Sequence, residues 1–328
     1  MPIDRNHKMT KNIMHICFAT DNNYAPYMGI SIYSILKASD KNDKFHFHIL
    51  DNAINKENKQ KIIELKNKYR NFTISFYPIS TLVKICDYPL KNKHLSMTAY
   101  ARLYLGSILP TNITKVLYLD CDIIVRASLY PIFQENISHY ILGGVEDNAV
   151  MEEAKRGLNF WDYKSSTYVN SGVLLINLKQ WRKENIERQL LTYLKAPLHP
   201  IFYEDQDVIN FVLKKKIKIL SPRWNGLMYL VGTKRNSYIN INKLRKNLLA
   251  CPVVHFASPS KPWIKFSGRH QNVLYYSRLM QETPWFDLSC ESPNLFTLFF
   301  KYLWVHPFCI FKFNFWKDIY LMGFGCLV

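Results

Sequence analysis

The sequence lacks the features that mark several classes of protein. Its seven cysteines are an odd number with no CxxC pair, which excludes a disulfide framework and a zinc site of ordinary spacing and favours a reducing compartment. Residues 1–10 are polar and lack the apolar stretch of a secretory signal, so we expect a cytoplasmic protein. No internal repeat or low-complexity linker is present. A chain of 328 residues then predicts one large α/β domain, alone or with a C-terminal appendage.

Acidic residues are scarce relative to basic ones. The 25 Asp and Glu against 43 Lys and Arg leave a formal charge of +18, which suits nucleic acid, phosphorylated ligands or an acidic membrane surface as partners. The lysines are scattered, and the chain has no RNP motif, zinc-finger spacing or basic heptad segment. Nucleic acid is therefore not an expected partner. With 48% hydrophobic and 21% charged residues, the chain is neither disordered nor collagen-like.

The C-terminal region, residues 295–328, is dense in Phe, Trp, Tyr and Leu with lysines between them. Lys301 and His306-Pro307 interrupt its apolar stretches, so no spanning helix of about 20 apolar residues is predicted. Aromatic residues mixed with lysines are typical of a segment lying at the interface of an anionic membrane. A helical pair packed on the main domain is an equally good interpretation of this composition.

The remainder of the chain alternates apolar runs with amphipathic segments, which predicts an α/β fold with a parallel sheet. We predict strands at 13–19, 45–50, 73–77, 115–119 and 172–178, helices at 25–38, 55–69, 100–109 and 204–213, and a turn at 168–171. Pro26 suits the first turn of its helix, and the acidic start of 204–213 suits a helix N-terminus. Ligands of such sheets bind at the carboxyl ends of the strands.

The sharpest short motif is Asp120-Cys121-Asp122, which directly follows the predicted strand 115–119. Residues i and i+2 of an extended chain point the same way, so both carboxylates could bind one cation while Cys121 faces away. Hard divalent cations such as Mn²⁺ or Mg²⁺ take oxygen ligands of this kind and bridge them to phosphates. The alternative is ordinary solvated charge in a loop, which is common for an isolated D-x-D.

Six segments occur in an order that resembles one enzyme family. They are FATDNNYAPYMGISIYSIL at 18–36, YARLYLGSILP at 100–110, KVLYLDCDIIV at 115–125, YVNSGVLLINLKQWRKENI at 168–186, YEDQDVIN at 203–210 and VVHFASPSKPW at 253–263. Over residues 13–265 the chain resembles glycosyltransferase family 8, in particular the bacterial lipopolysaccharide and lipooligosaccharide α-galactosyl- and α-glucosyltransferases.

This resemblance implies a GT-A fold, a Rossmann-like mixed and mostly parallel sheet flanked by helices. It implies a catalytic domain at 1–270 and a helical, membrane-associating segment at 271–328. The implied reaction is Mn²⁺-dependent transfer of hexose, with retention, from UDP-galactose or UDP-glucose to a lipopolysaccharide core; Mg²⁺ is a possible substitute. The enzyme would lie peripherally on the inner face of the cytoplasmic membrane, where its charge suits the anionic surface.

The resemblance also implies roles for individual residues. The metal ligands would be Asp120, Asp122 and His255. The residues that would contact the nucleotide or its diphosphate are Ala19, Asp21, Asn23, Arg102, Ser258 and Lys261. Four residues would line the sugar and acceptor side of the pocket. They are Asn170 and three catalytic residues, Asp147, Asp205 and Gln206. Ser258 stands where the family usually has glycine, so its hydroxyl would replace a backbone contact to phosphate.

Structural alternatives remain for these side chains when the residues are considered alone. Asp21 and Asn23 suit an ordinary polar βα turn, Asp205 and Gln206 suit a helix N-terminus, and a histidine after an apolar strand is commonly structural. Retention permits a covalent intermediate or front-face attack, and the amide of Gln206 is a poor nucleophile, which favours front-face attack. A non-catalytic UDP-sugar-binding relative and a UDP-sugar hydrolase are the alternative functions.

Overall fold

The computed structural model describes residues 13–79, 97–228, 250–258, 261–264 and 271–288, and within them the strands form two sheets. The larger sheet has the order β3-β2-β1-β4-β7-β6-β8, and the smaller has the order β5-β10-β9. The strands are β1 (Met14–Asp21), β2 (Phe45–Asn52), β3 (Phe72–Pro78), β4 (Lys115–Leu119), β5 (Ile123–Val125), β6 (Leu142–Glu146), β7 (Val169–Asn177), β8 (Ile217–Ile219), β9 (Gly226–Leu227) and β10 (Val253–His255).

The larger sheet is mixed and mostly parallel, as predicted. Strands β1, β2, β3 and β4 run parallel, whereas β7 is antiparallel to both β4 and β6. The prediction of a turn at 168–171 is wrong, because β7 begins at Val169. The side chain of Asn210 bonds both the N–H and the C=O of Val169 at 2.8 Å, and Asn170 and Ser171 find buried partners, so polar residues continue the strand.

The helices predicted at 25–38 and 204–213 are present within one residue of their bounds, whereas the one predicted at 55–69 ends at Glu64 and continues as a 3-10 turn over Leu65–Asn67. The α-helices are α1 (Ala25–Lys37), α2 (Lys56–Glu64), α3 (Leu105–Ile108), α4 (Tyr130–Phe133), α5 (Asn148–Lys155), α6 (Leu178–Lys183), α7 (Ile186–Lys195), α8 (Glu204–Leu213) and α9 (Gln271–Gln281). The predicted α-helix at 100–109 is instead a 3-10 helix over Met97–Tyr104 followed by the short α3. Most side chains of this segment are buried, among them Arg102 and Leu105. No helix of the described ranges is long and apolar enough to cross a bilayer.

Apolar layers cover both faces of the larger sheet. Along β1, Ile16 and Phe18 belong to the layer beneath α1, and Cys17 belongs to the opposite layer. Trp285, just after α9, enters the first layer so closely that a Cβ on Gly29 of α1 would lie 2.0 Å from its ring. The first residues of the predicted C-terminal segment thus pack on the main core, and residues 289–328 lie outside the described residues.

Candidate active site

The carboxyl ends of the parallel strands β1 and β4 carry the predicted nucleotide and metal residues side by side. Ala19 and Asp21 end β1, and Asn23 follows in an exposed loop. The Cys121 thiol lies 3.4 Å from the carbonyl oxygen of Ala19, so the turn after β4 touches the end of β1. Cys121 faces inward, as the sequence predicted, while Asp120 stays partly exposed.

Two serines of α1 fix the backbone of the Asp120–Asp122 turn. The Ser31 hydroxyl is fully buried and lies 2.7 and 2.6 Å from the carbonyl oxygens of Cys121 and Ile123. The N–H of Val125 donates to the Ser34 hydroxyl at 2.9 Å. These bonds satisfy carbonyl and amide groups that the turn withdraws from water, which a buried turn requires.

The smaller sheet brings His255 to the same turn. Strand β10 pairs antiparallel with β5, so that His255 lies opposite Ile123, and the N–H of Phe256 donates to the carbonyl of Asp122 at 2.9 Å. His255 Nε2 is 3.2 Å from Asp122 Oδ1 and 3.7 Å from Asp120 Oδ2. One ligand atom from each of Asp120, Asp122 and His255 lies within 4.8 Å of the others. We call these three residues the carboxylate–imidazole cluster.

The hydrogen bonds of His255 decide which ring nitrogen faces the carboxylates. Its Nδ1 is 3.0 Å from Asn225 Oδ1, while the amide nitrogen of Asn225 donates to Asn170 Oδ1 at 2.9 Å. The oxygen of Asn225 therefore faces the ring and Nδ1 carries a proton, which leaves Nε2 as the nitrogen that faces Asp120 and Asp122 and that a cation would use when the ring is neutral. Two carboxylates and such an imidazole form a donor set that could hold a divalent metal ion.

Gly172 on β7 leaves room for this cluster. A Cβ at position 172 would lie 2.2 Å from His255 Cε1 and 2.7 Å from Asp120 Oδ2. Both distances are far below a normal van der Waals contact, so the backbone of β7 approaches the cluster as closely as glycine alone permits.

Lys261 joins the cluster from the loop after β10. Its ammonium lies 2.5 Å from Asp122 Oδ2 and donates to the carbonyl of Phe256 at 2.9 Å. Burial would raise the pKa of Asp122, but Lys261 and His255 outweigh it and hold that pKa well below its usual range. Ser258 lies in the same loop and is half-buried.

Arg102 connects the cluster to the predicted sugar side. Its buried guanidinium donates to Asp120 Oδ1 at 2.9 Å and to the Ser171 carbonyl at 2.7 Å. Its Nε lies 3.1 Å from Asp205 Oδ2 but donates to a backbone carbonyl, and that Asp205 oxygen has no hydrogen-bond partner among the described residues. Burial raises the pKa of Asp205 to about 6 despite the neighbouring Arg102. The Arg102 contact to diphosphate stays a prediction.

Gln206, Asn170 and Asp147 form one buried network. Gln206 Oε1 accepts 3.0 Å hydrogen bonds from Asn170 Nδ2 and from the N–H of Ser171. Asp147 Oδ2 accepts from Asn170 at 3.1 Å and from Gln206 at 3.3 Å, while its Oδ1 caps α5 at Val150. The structure thus brings all predicted sugar-side residues together, and Asn225 joins them to His255.

Sequence reasoning missed Asn225, Gly172 and Asp207. Asn225 lies 30 positions before His255, with no spacing signal between them. Gly172 reads as an ordinary residue of an apolar strand, and only its close approach shows its importance. The carboxylate of Asp207 anchors the loop before α8, because it accepts from the Tyr168 hydroxyl at 2.5 Å and from the N–H of Phe202 at 2.6 Å.

Comparison with known proteins shows the family and the fold. The model of the family described as glycosyl transferase family 8 matches residues 15–266. A Haemophilus influenzae protein, named provisionally as a glycosyltransferase, is 33% identical over 86% of this chain and 84% of its own length. The Escherichia coli lipopolysaccharide 1,2-glucosyltransferase is 25% identical over 87% of this chain and 82% of its own. The galactosyltransferase LgtC, solved with donor and acceptor sugar analogs, is 29% identical with a TM-score of 0.70, covering 83% of this chain and 96% of that one.

Proposed function

The chain belongs to glycosyltransferase family 8 and is a hexosyltransferase, and on that premise we propose that it transfers galactose or glucose from a UDP-hexose to a lipopolysaccharide core, with retention. The observation that carries the proposal is the carboxylate–imidazole cluster at the carboxyl ends of β1 and β4, with Lys261 beside it. Similarity to a glucosyltransferase and to a galactosyltransferase supports both donors equally.

The donor would lie across the edge of the sheet. Uracil and ribose would bind at Ala19, Asp21 and Asn23, and the diphosphate would extend toward Ser258 and Lys261. When bound, Mn²⁺ or Mg²⁺ supplies Lewis-acid stabilisation of the diphosphate, and Asp120, Asp122 and His255 would hold it.

Lys261 would stabilise the charge that grows on the departing UDP. An ammonium group has three N–H donors, and in the described structure two point at Asp122 and at the Phe256 carbonyl. The third would donate to a diphosphate oxygen, where a fixed positive charge lowers the barrier to breaking the anomeric C–O bond. Arg102 would orient the carboxylates of Asp120 and Asp205 through its two ion pairs.

The hexose would sit against Asp147, Asn170, Asp205 and Gln206. Asp205 Oδ2 lies 3.1 Å from Arg102 Nε and has no hydrogen-bond partner among the described residues, so Arg102 would set the orientation of this carboxylate. Both acceptor sites of Gln206 Oε1 are taken by Asn170 and Ser171, which makes this amide a still poorer nucleophile. We therefore favour front-face attack, in which the acceptor hydroxyl approaches beside the leaving phosphate and gives its proton to that phosphate. A sugar adduct trapped on residue 205 or 206 would contradict this route.

The acceptor would be met at the inner face of the cytoplasmic membrane. A charge of +18 attracts a phosphorylated lipid and an anionic surface, and residues 291–328 add aromatic residues and lysines. Deletion of 291–328 should release the protein from vesicles that contain anionic lipid, and undiminished binding would argue against a membrane role for this segment.

The deciding experiment measures UDP release by the purified protein. UDP-galactose and UDP-glucose are each tested with Mn²⁺, with and without truncated lipopolysaccharide, for the wild type, Asp122→Ala and the control Asp287→Ala, whose carboxylate is exposed. We expect turnover that rises with acceptor, requires metal and is lost in Asp122→Ala alone. Metal-dependent release that is indifferent to acceptor would identify a hydrolase, and UDP binding without release would identify a non-catalytic relative.

A further inference from the structure

A second group of metal-ligating side chains lies on the larger sheet, away from the active site. His15 on β1 is paired in register with His46 on β2, and His48 follows two residues later on the same face. One ligand atom from each of the three imidazoles lies within 4.8 Å of the others. We call these residues the three-histidine cluster.

The rings are already close to the spacing that one metal ion imposes. His15 Nδ1 and His48 Nε2 are 2.9 Å apart, and the rings of His46 and His48 stack at 4.1 Å between centroids. Two imidazole nitrogens on one tetrahedral Zn²⁺, each about 2.0 Å from the ion, lie about 3.3 Å apart. Small side-chain rotations would therefore bring three nitrogens onto one ion.

Hydroxyl groups of β3 hold the outer nitrogens of two of these rings. The Tyr77 hydroxyl is 2.9 Å from His48 Nδ1, and the Ser75 hydroxyl is 2.9 Å from His46 Nε2. Metal-ligating histidines usually have such a partner on the second nitrogen, because it fixes the tautomer and the ring orientation. Burial also lowers the pKa of all three imidazoles, that of His48 to about 3, which favours the neutral form that binds metal. The proton now shared between His15 Nδ1 and His48 Nε2 would move to the outer nitrogen of one ring when an ion binds.

From this geometry we propose that His15, His46 and His48 form a Zn²⁺ site separate from the active site. Neutral imidazoles suit Zn²⁺ far better than the hard cations that carboxylates select. The site lies at the amino end of the strands, since His15 is six residues before Asp21, or about 20 Å along β1. An ion there would tie β1 to β2, with water at the fourth position, and would act on stability. This inference is independent of the proposed function.

The test removes the active-site ligands and titrates the remaining site. Protein stripped of metal and carrying Asp120→Asn and Asp122→Asn is titrated with Zn²⁺ alone, and X-ray absorption identifies the bound ligands. We expect one Zn²⁺ per chain, three imidazole nitrogens at about 2.0 Å and a higher melting temperature. No binding, or a shell dominated by oxygen, would overturn the proposal without requiring any histidine variant.

Variants then locate the site. His46→Gln removes a ligand but keeps a side chain that can bond Ser75, whereas His139→Gln, at an exposed position, is the matched control. Loss of an outer-sphere partner costs about 10-fold to 100-fold in metal affinity, and we expect Tyr77→Phe to fall within that range. His46→Gln removes a ligand itself, so it should weaken Zn²⁺ binding at least as much. Unchanged affinity in His46→Gln, or equal loss in His139→Gln, would refute the assignment.

Discussion

Replacing Gly172 with alanine places a methyl group between His255 and Asp120. The new Cβ would meet His255 Cε1 at 2.2 Å, so the ring must move by about 1.2 Å to reach an ordinary contact of about 3.4 Å. That displacement breaks the 3.0 Å hydrogen bond to Asn225 and separates Nε2 from Asp122. A misplacement of about 1 Å at a catalytic centre costs roughly 100-fold in rate, and overpacking costs about 1–3 kcal/mol of folding free energy.

Gly143→Ala is the matched control for this change. The three atoms nearest to its Cβ all belong to the Leu220 side chain, at 3.1–3.2 Å, and the position lies on β6 rather than at the cluster. UDP release is measured across a Mn²⁺ titration for both variants, together with urea unfolding. We expect Gly172→Ala to lose activity and to require more Mn²⁺ than Gly143→Ala, by more than its lower unfolding free energy accounts for under conditions where both variants are folded. Equal activity and equal Mn²⁺ midpoints in the two variants would refute the close approach as a determinant of the site.

Three further predictions rest on single buried contacts. Asn225→Ala should raise the Mn²⁺ midpoint of activity by about 10-fold to 100-fold, because His255 loses the bond that fixes its ring; an unchanged midpoint would assign Asn225 to folding alone. Ser31→Ala should lower the urea unfolding free energy by about 1–3 kcal/mol, since two buried carbonyls lose the single hydroxyl proton that they share, and a neutral effect would contradict this. Gly29→Ala should destabilise by about 1–3 kcal/mol through its clash with Trp285, and a second change, Trp285→Leu, should restore part of the loss; no restoration would place the cost elsewhere.

The sequence predicted the strands and helices that have strong apolar periodicity. Strand β4 and helix α8 occupy the residues expected, and β1 and α1 differ by one or two residues at their ends. The direction of β7 could not be read from the sequence, because a strand buried on both faces has the same composition whether it runs parallel or antiparallel.

Of the candidate site, the sequence identified the side chains but not their connections. The predicted residues came from short motifs and from a family resemblance. Both rely on residues that are neighbours in the chain. The network from His255 through Asn225 to Asn170 joins residues separated by 30 and 55 positions, and no local periodicity records such contacts. The close approach of Gly172 is likewise a property of packing between strands.

The smaller sheet has a consequence for the order in which this protein becomes active. Strands β5, β9 and β10 join segments that are far apart in the chain, and Lys261 meets Asp122 across 139 positions. Contacts of such large sequence separation form late in folding, because the intervening chain loses its freedom before they contribute. During synthesis the chain must extend beyond residue 261 before the carboxylates of the Asp120–Asp122 turn can meet their partners. Gain of metal affinity therefore reports completion of the domain, and fragments that end before β10 should lack both metal affinity and turnover.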